Sequence, residues 1–232
     1  MVRKSLQLIC IGVVLMTSAS ISAQTQSTPP RSSSKSPKTQ KTRQRIFIFH
    51  TDEFWLNLHH FLYVLGRAEN KERDTQREAV SGAPADQERG LKRLSDAERK
   101  IWRDAVASYA AGRSKKDVGF DDPMPAITHA LARAADAKSL TGFEIDPAIR
   151  TILERVGPIY RKAWWKEHRK ANQTWQKEID ALVERHGATV LAFITNAYKL
   201  QWPAAGFPVH VTAYSNWAGA YSTAIFPLPE LN

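Results

Sequence analysis

Four polar side chains stand out in the stretch FHTDEFWLNLHHFLYVLG, residues 49–66, because nearly all of their neighbours are large and apolar. They are His50, Asn57, His59 and His60. In a helix, Asn57 and His60 are three residues apart and project from one face, while His59 points about 100° away from His60. Imidazole nitrogens ligate metals and exchange protons near neutral pH. The stretch is therefore the first place to look for chemistry.

Two interpretations of the candidate polar cluster His50, Asn57 and His60 stay open. A metal or catalytic site needs at least three convergent ligands and further groups that hold them in place. The stretch offers two histidines and an amide, with Asp52 nearby. The alternative is a buried helix whose polar groups bond to each other, since buried polar groups need partners. The sequence favours this second interpretation, so we predict no metal ligand and no cofactor in this chain.

A second pattern is a stripe along a predicted long helix, with spacings of three and four residues. Its members are Trp164, His168, Ala171, Trp175, Ile179, Leu182 and His186. The stripe predicts core packing, and a ligand groove lined by tryptophan is the alternative. The chain contains no GxSxG, P-loop, GxGxxG or HExxH motif, so it lacks a recognisable complete catalytic site.

The elements that position these residues are mostly helical. Thr51 is a good N-cap for a helix over 54–65, whose apolar residues cover nearly the whole circumference, so this helix is predicted to lie at the centre of the domain. The capping box Ser95 to Glu98 predicts a helix through about residue 111. Asp-Pro pairs at 122–123 and 146–147 predict the starts of two more helices.

Helix-breaking residues predict the remaining boundaries. The charged stretch 67–93, with SGAPA inside it, predicts a frayed helix end and an exposed loop. Gly157-Pro158 predicts a break before a long helix, and Gly187 predicts its end. A further helix is predicted over about 189–200.

Alternating β-branched and aromatic residues predict strands over 46–50, 208–213 and 220–226. The later strands are expected to pair with the first or with partners beyond residue 232. The predicted fold class is α+β, mainly α, with about five to six helices and a small β element at the C-terminal end.

The N-terminal region predicts export. Residues 1–23 carry a short positive region, an apolar run and a small-residue cleavage site, which is the order of a signal peptide. Residues 24–45 hold six basic and no acidic residues, which predicts a disordered linker. Its favoured role is that of a solvated spacer, and weak contact with an anionic envelope is the alternative. Residues 46–232 are interpreted as a single domain, either complete or C-terminally truncated. The predicted location is extracytoplasmic, periplasmic or secreted.

The composition excludes several kinds of partner and site for the predicted mature chain. The net charge of +10 comes mostly from the N-terminal segments, because residues 46–232 hold 25 basic and 23 acidic residues. This near-neutral body argues against nucleic-acid binding. No stretch reaches the roughly 20 apolar residues of a membrane-spanning helix. Cys10 is the only cysteine and lies in the signal peptide, so disulfides and thiolate zinc sites are not expected in the mature chain.

The stretch 49–66, the tryptophan-rich helix and FPVHVTAYSNWAGAYST together resemble a family of uncharacterised secreted bacterial proteins with an FW-x-NLHHFLY motif. The C-terminal part of that family is zincin-like, with an HExxH helix that this chain lacks. The resemblance implies zinc only for a longer form. It also implies a strand that borders a substrate cleft near residues 220–223, which makes Asn216, Trp217 and Tyr221 candidate cleft or ligand-binding residues.

Two functions follow as expectations. The first is the helical N-terminal part of a metallopeptidase-like protein, a zinc hydrolase when full-length, without a catalytic motif of its own in this chain. The alternative is a non-enzymatic envelope binding or interaction module on a basic tether.

Overall fold

The protein is mainly helical, with one small two-stranded sheet, as the sequence predicts. A computed structural model describes residues 45–70, 82–199 and 201–214. The predicted signal peptide, nearly all of the predicted basic linker, the predicted strand 220–226 and the residues Asn216, Trp217 and Tyr221 lie outside these ranges. The elements are β1 (Phe47–His50), α1 (Phe54–Glu69), α2 (Ala83–Leu91), α3 (Asp96–Ala111), α4 (Met124–Ala134), α5 (Pro147–Tyr160), a π-helical segment (Arg161–Trp165), α6 (Lys166–Tyr198) and β2 (Phe207–His210).

Helix α1 forms the centre of the core. Every residue from Phe54 to Gly66 is buried, and α2, α3, α4 and α5 all pack against this helix. A helix that is apolar on all sides is stable only when protein surrounds it, so the predicted inner helix is confirmed. The predicted N-cap is wrong, because Glu53 occupies the cap position without a side-chain cap bond. Its carboxylate bonds instead to a histidine of the sheet.

Two predicted helix starts are confirmed by their capping bonds. Ser95 Oγ accepts from the Glu98 amide, while Glu98 Oε2 accepts from the Ser95 amide at 2.7 Å. Asp146 Oδ1 accepts from the Ile149 amide at 3.0 Å. Such caps satisfy backbone donors that the first helical turn leaves open. Helix α4 begins one residue after Pro123, next to the predicted position.

Part of the stretch predicted as an exposed loop is helix α2. Pro84 lies in its first turn, and Asp86, Gly90 and Leu91 are buried. Although the stretch is highly charged, one narrow face of α2 is buried. Indole Nε1 of Trp164 donates to the Asp86 carbonyl at 3.0 Å and so joins this face to the core.

The predicted breaks at Gly157-Pro158 and Gly187 are wrong. Helix α5 continues through Pro158, and the π-helical segment leads directly into α6, which runs through Gly187 to Tyr198. The separate helix predicted over 189–200 is the end of α6. Gly187 does not end the helix. It allows Ile46 to lie close to the backbone of α6, because a Cβ at residue 187 would lie 2.6 Å from Ile46 Cδ1. The glycine thereby lets the chain before β1 lie against α6.

The tryptophan stripe of the long helix divides into two halves. His168 and Trp164 are buried, which confirms core packing for that part. Trp175 is 37% exposed and Leu182 is 50% exposed, so the core prediction is wrong there. The reason is that α6, with 33 residues, extends past the helices that cover its first turns.

Strands β1 and β2 pair in parallel, in the register Phe47 with Phe207 through His50 with His210. The helical body lies between them in sequence, as a parallel pair requires a long crossover. This pairing confirms that the first C-terminal strand joins the strand at 46–50. It also places two histidines at the same end of the sheet.

Candidate functional site

The last residues of the two strands form a cluster with the residue that precedes α1. The imidazole rings of His50 and His210 stack, with centroids 4.9 Å apart and planes 18° from parallel. Glu53 Oε1 lies 3.0 Å from His210 Nδ1 and 3.4 Å from His50 Nδ1. We name His50, Glu53 and His210 the His–Glu cluster. The Glu53 side chain is 4% exposed, whereas that of His50 is 42% exposed, so the cluster opens to solvent on the His50 side.

A pair of buried asparagines holds β2 in place next to this cluster. Asn57 Nδ2 donates to the carbonyls of Glu53 and Val211, at 2.9 and 3.2 Å. Asn57 Oδ1 accepts from Asn172 Nδ2 and from the Ala213 amide, both at 3.0 Å. An amide side chain has two donor hydrogens and two acceptor lone pairs, so the hydrogen-bonding capacity of Asn57 is completely used. The asparagine therefore fastens the chain after β2 to α1 and α6.

The predicted polar cluster of His50, Asn57 and His60 is only partly assembled. His50 stands at the sheet end, Asn57 lies beneath β2, and His60 is buried in the core at 1% exposure. Burial lowers the pKa of His60 to about 4, although a hydrogen bond with the Tyr214 backbone opposes this shift. His60 is therefore neutral and belongs to the core, in agreement with the predicted buried helix.

His59 is likewise a core residue. Its Nδ1 shares a hydrogen bond with the Tyr109 hydroxyl at 2.9 Å, and burial holds its pKa well below the usual value. Burial also raises the pKa of Tyr109 to well above its usual value. Both groups stay neutral at physiological pH.

A buried hydrogen-bond network surrounds Asp86 on α2. His168 Nε2 lies 2.7 Å from Asp86 Oδ2, and the Tyr214 hydroxyl donates to the same oxygen at 2.9 Å. With Nε2 protonated, His168 Nδ1 accepts from the Tyr160 hydroxyl at 2.7 Å. Arg89 donates to the other carboxylate oxygen at 2.9 Å. We name these residues the Asp86 network.

The charge of Asp86 is stabilised by its partners. Burial by itself raises the pKa of this carboxyl, but hydrogen bonds from His168 and Tyr214 and the charges around it lower the pKa below its usual value. Burial raises the pKa of Tyr160 well above the usual range, so its hydroxyl keeps its proton. The Asp86 network joins α2, α5, α6 and the segment after β2, which is the arrangement expected of a structural connection.

Aromatic side chains form a connected surface around the sheet, which we name the aromatic patch: Phe47, Phe49, Trp175, Trp202 and Phe207. Successive ring centroids along this chain are 4.7 to 5.9 Å apart. All of these side chains are partly exposed. A shallow groove of about 480 Å³ adjoins the patch on α6 and is lined by Glu167, Lys170, Ala171, Thr174, Trp175 and Glu178.

Sequence reasoning missed the acidic members of both clusters. Glu53 carries no separate signal in the sequence, and Asp86 falls within the stretch 67–93 that was predicted to hold an exposed loop. His210 lies in the predicted strand 208–213 without any other signal for a site. The signal for the His–Glu cluster was the position of His50 and His210 at the ends of two predicted strands. Asn216, Trp217 and Tyr221 lie outside the described residues and stay predictions.

Comparison of the chain with protein-family models, with curated proteins and with solved structures gives no match. Among the described helices, none combines the length and the apolar character needed to cross a membrane.

Proposed function

We propose that this chain is an exported, non-enzymatic binding module that holds an extended peptide segment of another protein against the β1–β2 pair. The aromatic patch is the observation that carries the proposal. Partly exposed apolar surfaces that are continuous mark interaction sites more often than scattered apolar residues do. Aromatic residues are also enriched at the centres of protein interfaces.

The sheet supplies the second part of the argument. A two-stranded sheet is marginal by itself, and in the described ranges each strand pairs only with the other. An added strand would form main-chain hydrogen bonds along an outer edge, while its alternate side chains contact the surface beside it. Phe47 and Phe49 project from one face of β1, where Phe49 contacts Trp175 and Phe47 contacts Trp202. A peptide with apolar residues at every second position therefore fits this surface.

The apolar surface continues along α6. Leu182 is 50% exposed and Phe193 is 72% exposed, and they lie on the helical face of Trp175. The adjoining groove carries Glu167 and Glu178 beside Lys170, so polar contacts are offered at the rim. An aromatic centre with a polar rim is typical of an interface.

Peptide selection provides the test. A library of ten-residue peptides is selected on the mature chain, and the dissociation constant of an enriched peptide is measured by fluorescence anisotropy. We expect a preference for apolar residues at alternate positions and at least tenfold weaker binding after Trp175→Ala or Phe49→Ala. Phe120→Ala, at an exposed phenylalanine outside the patch and outside α6, is the matched control and keeps affinity within about twofold. Circular dichroism checks that each variant is folded.

Backbone methylation separates strand addition from simple apolar contact. Methylation of every second peptide nitrogen removes main-chain donors along one edge and keeps the side chains, so it should abolish binding in one of the two methylation registers. Equal binding by both methylated peptides, or by the Trp175→Ala and Phe49→Ala variants, would refute the proposal. The metallopeptidase-like expectation stays a prediction that rests on the sequence resemblance.

A further inference from the structure

The His–Glu cluster has the composition of a metal site, independently of peptide binding. Two imidazole nitrogens face one carboxylate oxygen, at 3.0 and 3.4 Å. Imidazole and carboxylate groups are the usual ligands of zinc outside thiolate sites. The three residues come from β1, from β2 and from the turn before α1, so the fold brings them together from separate elements.

The burial of Glu53 is the second observation. The residue is 3% exposed, and its Oε2 has no hydrogen-bond partner among the described residues. A buried carboxylate requires pairing or coordination, because its removal from water is unfavourable. The two histidines approach Oε1 alone, and this leaves the other carboxylate oxygen uncompensated. A bound cation would compensate the whole carboxylate.

The distances between the donor atoms agree with coordination. Ligand atoms about 2.1 Å from a zinc ion at tetrahedral angles are about 3.4 Å apart, and at right angles about 3.0 Å apart. The observed separations of 3.4 and 3.0 Å in the cluster span this range. The two separations between histidine nitrogen and carboxylate oxygen are therefore compatible with a shared ion, and the shorter one is also the length of a hydrogen bond.

One side chain must still turn to complete the site. In the described ranges, no group of three such side chains already surrounds a common metal position, because the two rings stack nearly in parallel. Rotation of one ring about its Cβ–Cγ bond would point its nitrogen at an ion bound to the other. The His50 side chain is the exposed member and has room for this rotation, whereas Glu53 and His210 are held by packing.

We propose that His50, Glu53 and His210 bind one divalent ion of borderline softness, with Zn²⁺ as the test ion. Water completes the coordination on the open side. Asn57 supports the site by holding the chain after His210 in place.

Calorimetric titration with zinc chloride tests the proposal on the mature chain, produced without a polyhistidine tag. We expect one ion per chain for the unchanged protein and for His186→Ala, the matched control in an exposed histidine of α6. His210→Ala and His50→Ala should each weaken binding at least tenfold, and an excess of Mg²⁺ should not compete because it prefers oxygen ligands.

Because the His50 side chain is exposed, we expect His50→Ala to fold. This variant tests the proposal even if Glu53→Gln or His210→Ala fails to fold. Thermal unfolding with and without zinc adds a second readout, since a ligand that binds the folded state raises the melting temperature. Absence of zinc binding, or equal binding by the His50→Ala variant, would overturn the proposal. Peptide binding by the same variant reports separately on the proposed function.

Discussion

Replacement of Asn57 by alanine tests whether one side chain fastens the C-terminal strand. The side chain makes four hydrogen bonds, all at 3.2 Å or less. After truncation, the Val211 carbonyl keeps Asn172 as a donor at 3.1 Å, and the Glu53 carbonyl keeps the backbone amide of residue 57 at 3.0 Å. The Ala213 amide loses the acceptor that the structure shows for it.

The magnitude follows from these contacts. An orphaned buried donor costs about 1–3 kcal/mol, and each further lost bond removes about 0.5–1.5 kcal/mol. Because the other partners keep alternative contacts, we expect a loss of about 3 kcal/mol in the free energy of unfolding. Asn70→Ala, at the C-cap of the same helix, is the matched control. Among the described residues its side chain bonds only to the Ala110 carbonyl, at 2.8 Å, so a loss of about 1 kcal/mol is expected.

Urea unfolding followed by tryptophan fluorescence measures both losses, and hydrogen exchange locates them. The amides of Val211 and Ala213 should exchange faster in Asn57→Ala and remain unchanged in Asn70→Ala. A loss in Asn57→Ala no larger than that of the control, with unchanged exchange of these two amides, would refute the reasoning.

Two further predictions concern the core. Because the pKa of Asp86 is lowered in the folded state, the stability it contributes is present above the unfolded pKa of about 4 and is lost as the pH falls through the folded value. Urea midpoints between pH 6 and 2.5 should therefore fall more steeply for the unchanged protein than for Asp86→Asn. Asp180→Asn, an exposed control, should leave the slope unchanged. Gly90→Ala places a Cβ 2.0 Å from the Trp164 ring, so thermal unfolding should show a loss of about 3 kcal/mol. Gly112→Ala, which meets no atom within 4 Å, should change stability by less than about 1 kcal/mol; equal effects of the two glycine changes would contradict the packing.

Features that depend on neighbouring residues were predictable from the sequence. The capping box needs only Ser95 and Glu98, and the central helix needs only its own apolar circumference. Both therefore carry their structural signal locally. The strand pairing was also within reach, because the segment at 46–50 was one of the two partners that the sequence offered to the strand at 208–213.

Features that depend on distant residues were not predictable. Glu53 meets His210 across 157 positions, and Asp86 meets His168 across 82, so no local pattern marks either contact. At Gly187 a local pattern exists but predicts the wrong structure. Its local preference for a helix end is overridden because Ile46 packs against it, and tertiary packing routinely outweighs such preferences.

The π-helical segment Arg161–Trp165 fixes the rotational phase of everything that follows it. A π turn inserts an extra residue relative to regular α geometry, which amounts to a turn of about 100° around the axis. His168 and Asn172 both lie downstream and reach different partners, one in the Asp86 network and the other beside Asn57. Loss of a single residue from this segment would rotate His168 and Asn172 away from their partners together. The Asp86 network and the contact with Asn57 therefore both depend on the geometry of this one segment.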